Sequence, residues 1–216
     1  MKLQVMLSLL GQGMVTSVEL FTLTLLFSLP LGMFLSFARM SRHVVVRNVS
    51  KFYISIMRGT PLMLQLLVVY FGPYYLFGLS LSSYSKLMAS AIAFVLNYAA
   101  YFAEIYRAGI ESIPVGQYEA ARVLGYTKAQ TFLKIILPQV IKRVLPPVTN
   151  EMITLVKDTS LAFSIGLVEM FTQAKAIAAS EKNMMAFAVA AVFYYLFNLL
   201  VAFLMERAEK KLRYYQ

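Results

Sequence analysis

Five long apolar stretches constrain the fold of this chain more than any other feature of its sequence. A membrane-spanning helix needs about 20 predominantly apolar residues, because the hydrocarbon core of a bilayer is about 30 Å thick and a helix rises about 1.5 Å per residue. Stretches of about that length cover residues 15–38, 62–79, 87–106, 148–170 and 184–205. They predict an all-α, polytopic membrane protein with five transmembrane helices in a single domain, residues 1–216.

Composition supports this class and excludes several kinds of chemistry. Of the 216 residues, 60% are hydrophobic and 14% are charged, whereas a soluble domain has about 25% charged residues. The chain contains no cysteine and one histidine, which excludes disulfides, thiolate nucleophiles and metal sites built from several cysteines or histidines. We therefore expect no catalytic residue and no metal site, and a membrane enzyme is the least favoured class.

The distribution of positive charge predicts the orientation in the membrane. Lysine and arginine number 20 against 10 acidic residues, and nucleic-acid binding, the other common reason for such a surplus, would not explain the apolar stretches. Fifteen of the 20 cations lie in three segments, 39–58, 107–143 and 207–213. The positive-inside rule places these segments in the cytoplasm and the N-terminus outside. Four tyrosines are expected at the membrane interfaces: Tyr74, Tyr75, Tyr214 and Tyr215.

The cytoplasmic connection 108–145, between the third and fourth stretches, has signals for two short helices. Glu119 lies in the first turn of a predicted helix over 117–124, where a carboxylate favours the positive end of the helix dipole. Gly125 suits a left-handed position at the end of that helix. The sequence 127–130, Thr-Lys-Ala-Gln, predicts a capping box that opens a second helix, which Pro138 follows. An amphipathic hairpin resting on lipid is the alternative interpretation.

The same connection carries a long fixed-spacing motif. Its defined positions are Glu119, Ala120, Ala121, Gly125, Ile135, Leu137 and Pro138. They match the EAA motif, EAA-x3-G-x9-I-x-LP, at every position, so the chain resembles the membrane permease subunits of bacterial ABC importers. Three further segments resemble the polar amino-acid uptake branch of that family: RGTP at 58–61, AEIYRAGI at 103–110 and KDTSL at 157–161.

The resemblance implies a function and a set of partners. The chain would be the transmembrane subunit of an ATP-driven amino-acid importer in the bacterial cytoplasmic (inner) membrane, and the motif would form a coupling helix. The chain has no GxxxxGK[ST] sequence, so ATP-Mg would be bound by cytoplasmic P-loop ATPase subunits and no cofactor by this chain. The other implied partners are a second permease copy (homodimer or similar heterodimer), an extracytoplasmic amino-acid-binding protein and membrane lipid.

Charged residues inside the fourth apolar stretch suggest a substrate site. A charge near the centre of a membrane helix costs about 2.5–3.5 kcal/mol, so such groups face protein or water. Glu151 and Asp158 are separated by about 20° around a helix and about 10 Å along it, and Thr154 lies near the same stripe. We expect this stripe to face a cavity and to attract the ammonium or cationic side chain of an amino acid. An internal ion pair with Lys157 is the alternative.

The third stretch carries a polar stripe of its own, Asn97, Tyr101 and Glu104. These side chains could line the same cavity or bond between helices, and Glu104 could pair with Arg107 three residues later. A secondary transporter driven by an ion gradient remains the alternative function, because intramembrane carboxylates suit proton or sodium coupling. That alternative does not explain the helix–glycine–helix element in the cytoplasmic connection.

Overall fold

The computed structural model describes residues 2–80 and 85–212, and within them the chain is helical without a β-strand, as expected. The helices are α1 Leu3–Arg39, α2 Val44–Gly59, α3 Leu62–Phe77, α4 Lys86–Glu111, α5 Val115–Val123, α6 Lys128–Gln130, α7 Leu137–Asp158, α8 Met170–Glu181 and α9 Met185–Leu212. A π-helical segment, Thr131–Ile136, joins α6 to α7, and a 3-10 segment, Thr159–Ile165, extends α7. The expected interfacial residues Tyr214 and Tyr215 lie outside the described residues.

Three of these helices are long and apolar enough to cross a membrane without a break. They are α1, α4 and α9. Helices α2 and α3 meet the same criterion only when they are taken as one pair, with an angle of 107° between them. The continuous segment Lys128–Ile165 and α8 also meet it only as a pair, with an angle of 59° between them. Length and composition therefore allow between three and five spans in the described part of the chain.

The core forms where α1 packs along α4, with α3, α7 and α9 around this pair. Small residues permit the close approach: a Cβ atom on Gly32 of α1 would lie 2.7 Å from the Cβ of Phe102 of α4. This arrangement is typical of membrane helices, which associate through small residues and close van der Waals contact. A second apolar cluster joins the N-terminal part of α1 to α8 and α9, through Met6, Leu10, Met170, Ala174, Ile177, Ala186 and Ala190.

Two elements differ from the expected boundaries. Helix α1 begins at Leu3 rather than near residue 15, because its first turns pack in this second cluster. The segment expected as a loop after α1 forms helix α2. In α2, Ile54 packs with Ala100 and Ala103 of α4. Contacts to α1 and α4 therefore stabilise a helix in a segment whose many basic residues had suggested a loop.

The helix that begins at Lys128 does not end at Pro138. It passes through the π-helical segment and continues as α7, with Pro138 in the first turn of α7. A proline is tolerated in a first turn, and π-helical turns adjust the local hydrogen bonding of a helix. The part of the connection 108–145 that begins at Lys128 and most of the fourth apolar stretch thus belong to one continuous helical segment, Lys128–Ile165.

The fully buried carboxylate of Glu169 connects three helices near the start of α8. Its oxygens accept hydrogen bonds of 2.7 Å from the backbone N–H groups of Phe171 and Thr172, which caps α8. The hydroxyl of Tyr194 on α9 donates to the same carboxylate at 3.1 Å, and the Ser17 hydroxyl on α1 lies at 3.5 Å. The side chain therefore holds α1, α8 and α9 together.

Two glycines of α1 provide a matched test of this packing. A Cβ on Gly13 would lie 2.7 Å from the Cα of Met170, whereas a Cβ on Gly11 would have no atom within 4 Å. Since backbone atoms cannot move aside as a side chain can, we expect Gly13→Ala to destabilise the protein by about 1–3 kcal/mol. Gly11→Ala should leave stability unchanged or raise it, because alanine favours helix. Thermal unfolding of the purified variants measures both, and equal stability would contradict the close contact.

Candidate functional site

A cavity of about 580 Å³ lies between the C-terminal end of α2 and helices α4 and α7. This volume falls within the range of about 300–1,000 Å³ that is usual for small-molecule sites. Its charged and aromatic lining consists of Arg58, Tyr101, Glu104, Arg107, Arg143 and Glu151. The cavity therefore has both signs of charge within one small space.

Most of these charged groups are already engaged with other groups in the chain. Arg107 Nη2 lies 2.7 Å from a Glu104 oxygen, and Arg107 also pairs with Glu111. Arg39 and Arg58 approach the same Glu104 carboxylate at 3.8 and 3.9 Å. The pairing of Glu104 with Arg107 is thus confirmed, and Glu104 serves first to neutralise arginines.

Arg143 connects α7 to the end of α4. Its guanidinium donates to the Ser112 hydroxyl at 2.8 Å and to the Ser112 carbonyl. On the same side of α7, Val144 occupies the space that a side chain on Gly109 would need. These contacts join the end of α4 to the N-terminal half of α7.

Glu151 and Arg58 are the charged groups of the cavity that make no hydrogen bond within the described residues. No hydrogen bond to the Glu151 carboxylate is present in the described part of the chain, and this side chain is half-buried. The Arg58 guanidinium lies 5.3 Å from the centre of the Tyr101 ring, a cation–π geometry, and it is only loosely paired with Glu104. An anion without a hydrogen-bond partner and a weakly paired cation thus face the same cavity.

Asp158 is not among the residues that line this cavity. It ends α7, where the buried Tyr98 hydroxyl donates to its carboxylate at 2.8 Å. The Thr154 side chain is exposed and donates to the carbonyl of Asn150 in its own helix. The predicted stripe therefore divides into Glu151, which faces the cavity, and Asp158, which binds Tyr98 on α4.

Asn97 is buried and holds the bend between α2 and α3. Its amide donates to the Met57 carbonyl at 2.9 Å and to the Gln65 side chain at 3.0 Å. Gln65 in turn donates to the Met57 carbonyl and to both oxygens of Thr60. Asn97 therefore forms hydrogen bonds between helices, whereas Tyr101, from the same stripe on α4, lines the cavity.

The connection 108–145 folds as its local signals predict. Gly125 has a φ of +78°, in the left-handed region that favours glycine. The capping box is complete, since Thr127 accepts from the Gln130 N–H at 3.3 Å and the Gln130 side chain accepts from the Thr127 N–H at 2.9 Å. These two features confirm the predicted turn between α5 and α6.

The surface of this connection is partly apolar. Ala121 is buried against the chain, whereas Glu119 and Ala120 face outward. Large apolar side chains are exposed around the turn, among them Val115, Val123, Leu124 and Leu133. Exposed apolar patches of this kind often mark contact surfaces for another protein.

Three residues of the structure's polar network received no individual role in the sequence interpretation. The sequence places Arg58 in the cation-rich segment 39–58 and in the RGTP segment, although a cation next to an apolar stretch is in itself a recognisable signal. No sequence pattern indicates a polar role for Tyr98, apart from its position one residue after Asn97. The intramembrane position of Glu169, within the stretch 148–170, was the signal that could have identified it.

The chain is similar over most of its length to known transport proteins. Residues 28–214 match the family model described as binding-protein-dependent transport system inner membrane component. The chain is 37% identical to an L-cystine transport system permease of Bacillus subtilis over 89% of the chain and 82% of that protein. It is 35% identical to an arginine transport system permease of the same organism, over 94% and 91% respectively.

A solved structure has the same fold. It is a crystal structure of an amino acid ABC transporter with histidines, with a TM-score of 0.87 at 31% identity, covering 98% of this chain and 99% of the other. The inward-facing methionine ABC transporter shares the fold at 18% identity, with a TM-score of 0.72. The chain therefore belongs to the family of inner-membrane components of binding-protein-dependent transport systems.

Proposed function

We propose that this chain forms the substrate pathway of an ATP-driven amino-acid importer and couples it to a separate ATPase by alternating access. The observation that carries the proposal is the exposed helix–glycine–helix element, in which the defined positions of the EAA motif fall on α5, the Gly125 turn, the π-helical segment and the first turn of α7. The names of the cystine and arginine permeases support an amino acid as the substrate. Family membership favours this function over an ion-gradient-driven secondary transporter.

The proposed topology has five spans in one domain, residues 1–216. The spans are α1, the bent pair α2–α3, α4, α7 with its 3-10 extension, and α9. The distribution of cations along the sequence, with 15 of 20 in the segments 39–58, 107–143 and 207–213, supports an extracytoplasmic N-terminus and a cytoplasmic C-terminus in the bacterial inner membrane. The family description supports the inner membrane as the location.

The connection 108–145 is the proposed docking surface for the cytoplasmic ATPase, which binds ATP-Mg. Its coupling residues are Glu119, Ala120, Ala121, Gly125, Ile135, Leu137 and Pro138. Because α6, the π-helical segment and α7 are continuous, motion of the docked turn passes directly to the helix that carries Glu151. Each chain has one docking element for one ATPase subunit, so a complex with two ATPase subunits needs a second permease copy. An extracytoplasmic binding protein delivers the amino acid.

The cavity suggests how a zwitterion is recognised. The Glu151 carboxylate accepts the substrate ammonium, and the Arg58 guanidinium, held over Tyr101, receives the substrate carboxylate. Asp158 and Thr154 lie further along the same helix and contact the side chain of a longer substrate. Asn97 acts at the edge of this site by fixing the bend that presents Arg58.

Reconstitution tests the whole proposal. The chain is purified with its P-loop ATPase, inserted into vesicles with the binding protein, and screened with single amino acids. We expect one amino acid or a small group to stimulate ATP hydrolysis several-fold and to accumulate inside the vesicles. Uptake that survives ATP depletion but collapses with the ion gradient would instead establish the secondary transporter.

A further inference from the structure

Helix α7 exposes a stripe without large apolar side chains inside the proposed membrane span. This α7 stripe consists of Pro146, Asn150 and Lys157, which are all exposed and fall within about 40° around the helix axis at 100° per residue. Among residues 142–167, all of which the structure describes, no large apolar side chain is exposed. Helix α9 has the opposite pattern, with the exposed side chains Val192, Leu196, Leu199, Phe203 and Leu204. The surface of α9 therefore suits lipid, whereas the α7 stripe does not.

Two groups of the α7 stripe have no partner within the described residues. The Asn150 amide makes no hydrogen bond, and the Lys157 ammonium makes no ion pair. Lys157 lies well inside the apolar stretch 148–170, where a charge that faces lipid is strongly unfavourable. Polar groups at this depth face protein or water, so something other than lipid covers the stripe.

The α7 stripe lies next to the substrate cavity and away from the core of the chain. The buried residues Val144, Val148 and Leu155 lie on the opposite side of α7, about 160° around the axis from the stripe. Two residues that line the cavity, Pro147 and Glu151, lie about 60° and 100° from Asn150 around the axis. A protein that covers the stripe therefore also borders the substrate cavity.

We propose that the α7 stripe is the contact with a second copy of this chain, and that the Asn150 side chains of the two copies bond to each other. The inference rests on the proposed function, in which two permease copies serve two ATPase subunits. Two copies with the same orientation in a membrane are related by a two-fold axis along the membrane normal, so residues at equal depth meet. A surface on that axis must be complementary to itself. Asparagine meets this condition, because its side-chain amide both donates and accepts hydrogen bonds.

Two features of the chain favour a second copy over another membrane protein. Helix α7 continues from the proposed docking surface as one segment, Lys128–Ile165, so two ATPase subunits side by side bring two α7 helices together. Lys157 lies about 10 Å from Asn150 along the helix. Because crossing helices diverge on either side of their contact, the two ammonium groups stay apart and face the water between the copies.

The absence of cysteine from the chain makes this contact directly measurable. Asn150→Cys is expressed together with the ATPase, and the membranes are oxidised with copper phenanthroline without ATP or amino acid. We expect a disulfide-linked dimer of the chain, because a disulfide forms only where two Cα atoms come within about 7 Å. Pro146→Cys, one turn away on the same stripe, should also cross-link, so the test does not depend on the folding of one variant.

Leu204→Cys gives the matched control. Leu204 is exposed on α9, just over one turn from Glu209, which accepts a hydrogen bond from Thr149 at 2.9 Å and so marks a depth close to that of Asn150. We expect at least about tenfold less dimer from Leu204→Cys, since its thiol stays beyond the range of a disulfide.

Three results would overturn the proposal: equal cross-linking of Asn150→Cys and Leu204→Cys, no cross-link from either stripe variant, or a cross-link to a different chain. The mass of the purified complex tests the proposed function separately. A complex that contains two permease chains and two ATPase subunits, but shows no cross-link on the stripe, would remove this contact and leave the importer in place.

Discussion

Substitution of Gly125 by aspartate should abolish ATP-driven uptake while the chain still folds and reaches the membrane. Gly125 has a φ of +78° and open space around its Cα, so a side chain there meets no atom and costs only about 1–2 kcal/mol of backbone strain. The new carboxylate would lie among the exposed side chains of Val123 and Leu124, which we propose as the ATPase contact. At an interface hot spot a loss of about 2 kcal/mol or more is usual, which weakens binding about 30-fold.

Gly78 provides a matched control for this variant. It has a φ of +65°, it also has no atom within 4 Å of a Cβ position, and it lies at the end of α3, far along the chain from the connection 108–145. Gly78→Asp therefore introduces the same charge and a similar strain elsewhere. We expect it to retain ATPase co-purification and uptake, whereas Gly125→Asp loses both. Loss in both variants, or normal uptake in Gly125→Asp, would contradict the docking role.

The second large effect is expected at Glu151. Glu151→Gln removes the negative charge that faces the cavity without a hydrogen-bond partner and keeps the size of the side chain. Loss of one partner in a desolvated charge pair costs about 2–5 kcal/mol, so amino-acid affinity should fall at least about 30-fold. Asp158→Asn should have a smaller effect, because an asparagine oxygen can still accept the hydrogen bond from Tyr98. Binding of labelled amino acids to the reconstituted complex measures both affinities.

Glu19→Gln serves as the control for these substitutions. Glu19 is an exposed carboxylate on α1, and it is absent from the lining of the proposed substrate cavity. Its variant changes the net charge of the chain equally and should leave amino-acid affinity unchanged. If affinity and specificity stay the same in both Glu151→Gln and Asp158→Asn, the substrate role of this stripe is wrong.

Local chemistry explains which parts of the molecule could be predicted. The turn between α5 and α6 depends on Gly125 and on the bonds between Thr127 and Gln130, all within six residues. Glu104 and Arg107, which form an ion pair, are likewise separated by only one helical turn. Such features need only the neighbouring sequence, and the structure confirms them.

Other features depend on residues that are distant along the chain. The sequence of α2 predicts a basic loop, because nothing in it shows that α1 and α4 cover the inner side of this segment. Ile54, the apolar residue at that contact, does not indicate it by itself. Asn97 could have faced substrate, but Met57 and Gln65 from the α2–α3 bend take its hydrogen bonds. Glu169 binds Ser17 and Tyr194, which are 152 and 25 residues away, so no local pattern could reveal its environment.

The buried carboxylate of Glu169 also limits which helices can move during a transport cycle. If α1 or α9 separated from α8, the carboxylate would lose its hydroxyl donors in a medium of low dielectric constant, at a cost of several kcal/mol. The outer ends of these three helices should therefore move as one rigid body. Rearrangement between the outward-open and inward-open states then falls on the helices outside this group, and a shift of α4 against α7 would also have to break the buried hydrogen bond between Tyr98 and Asp158.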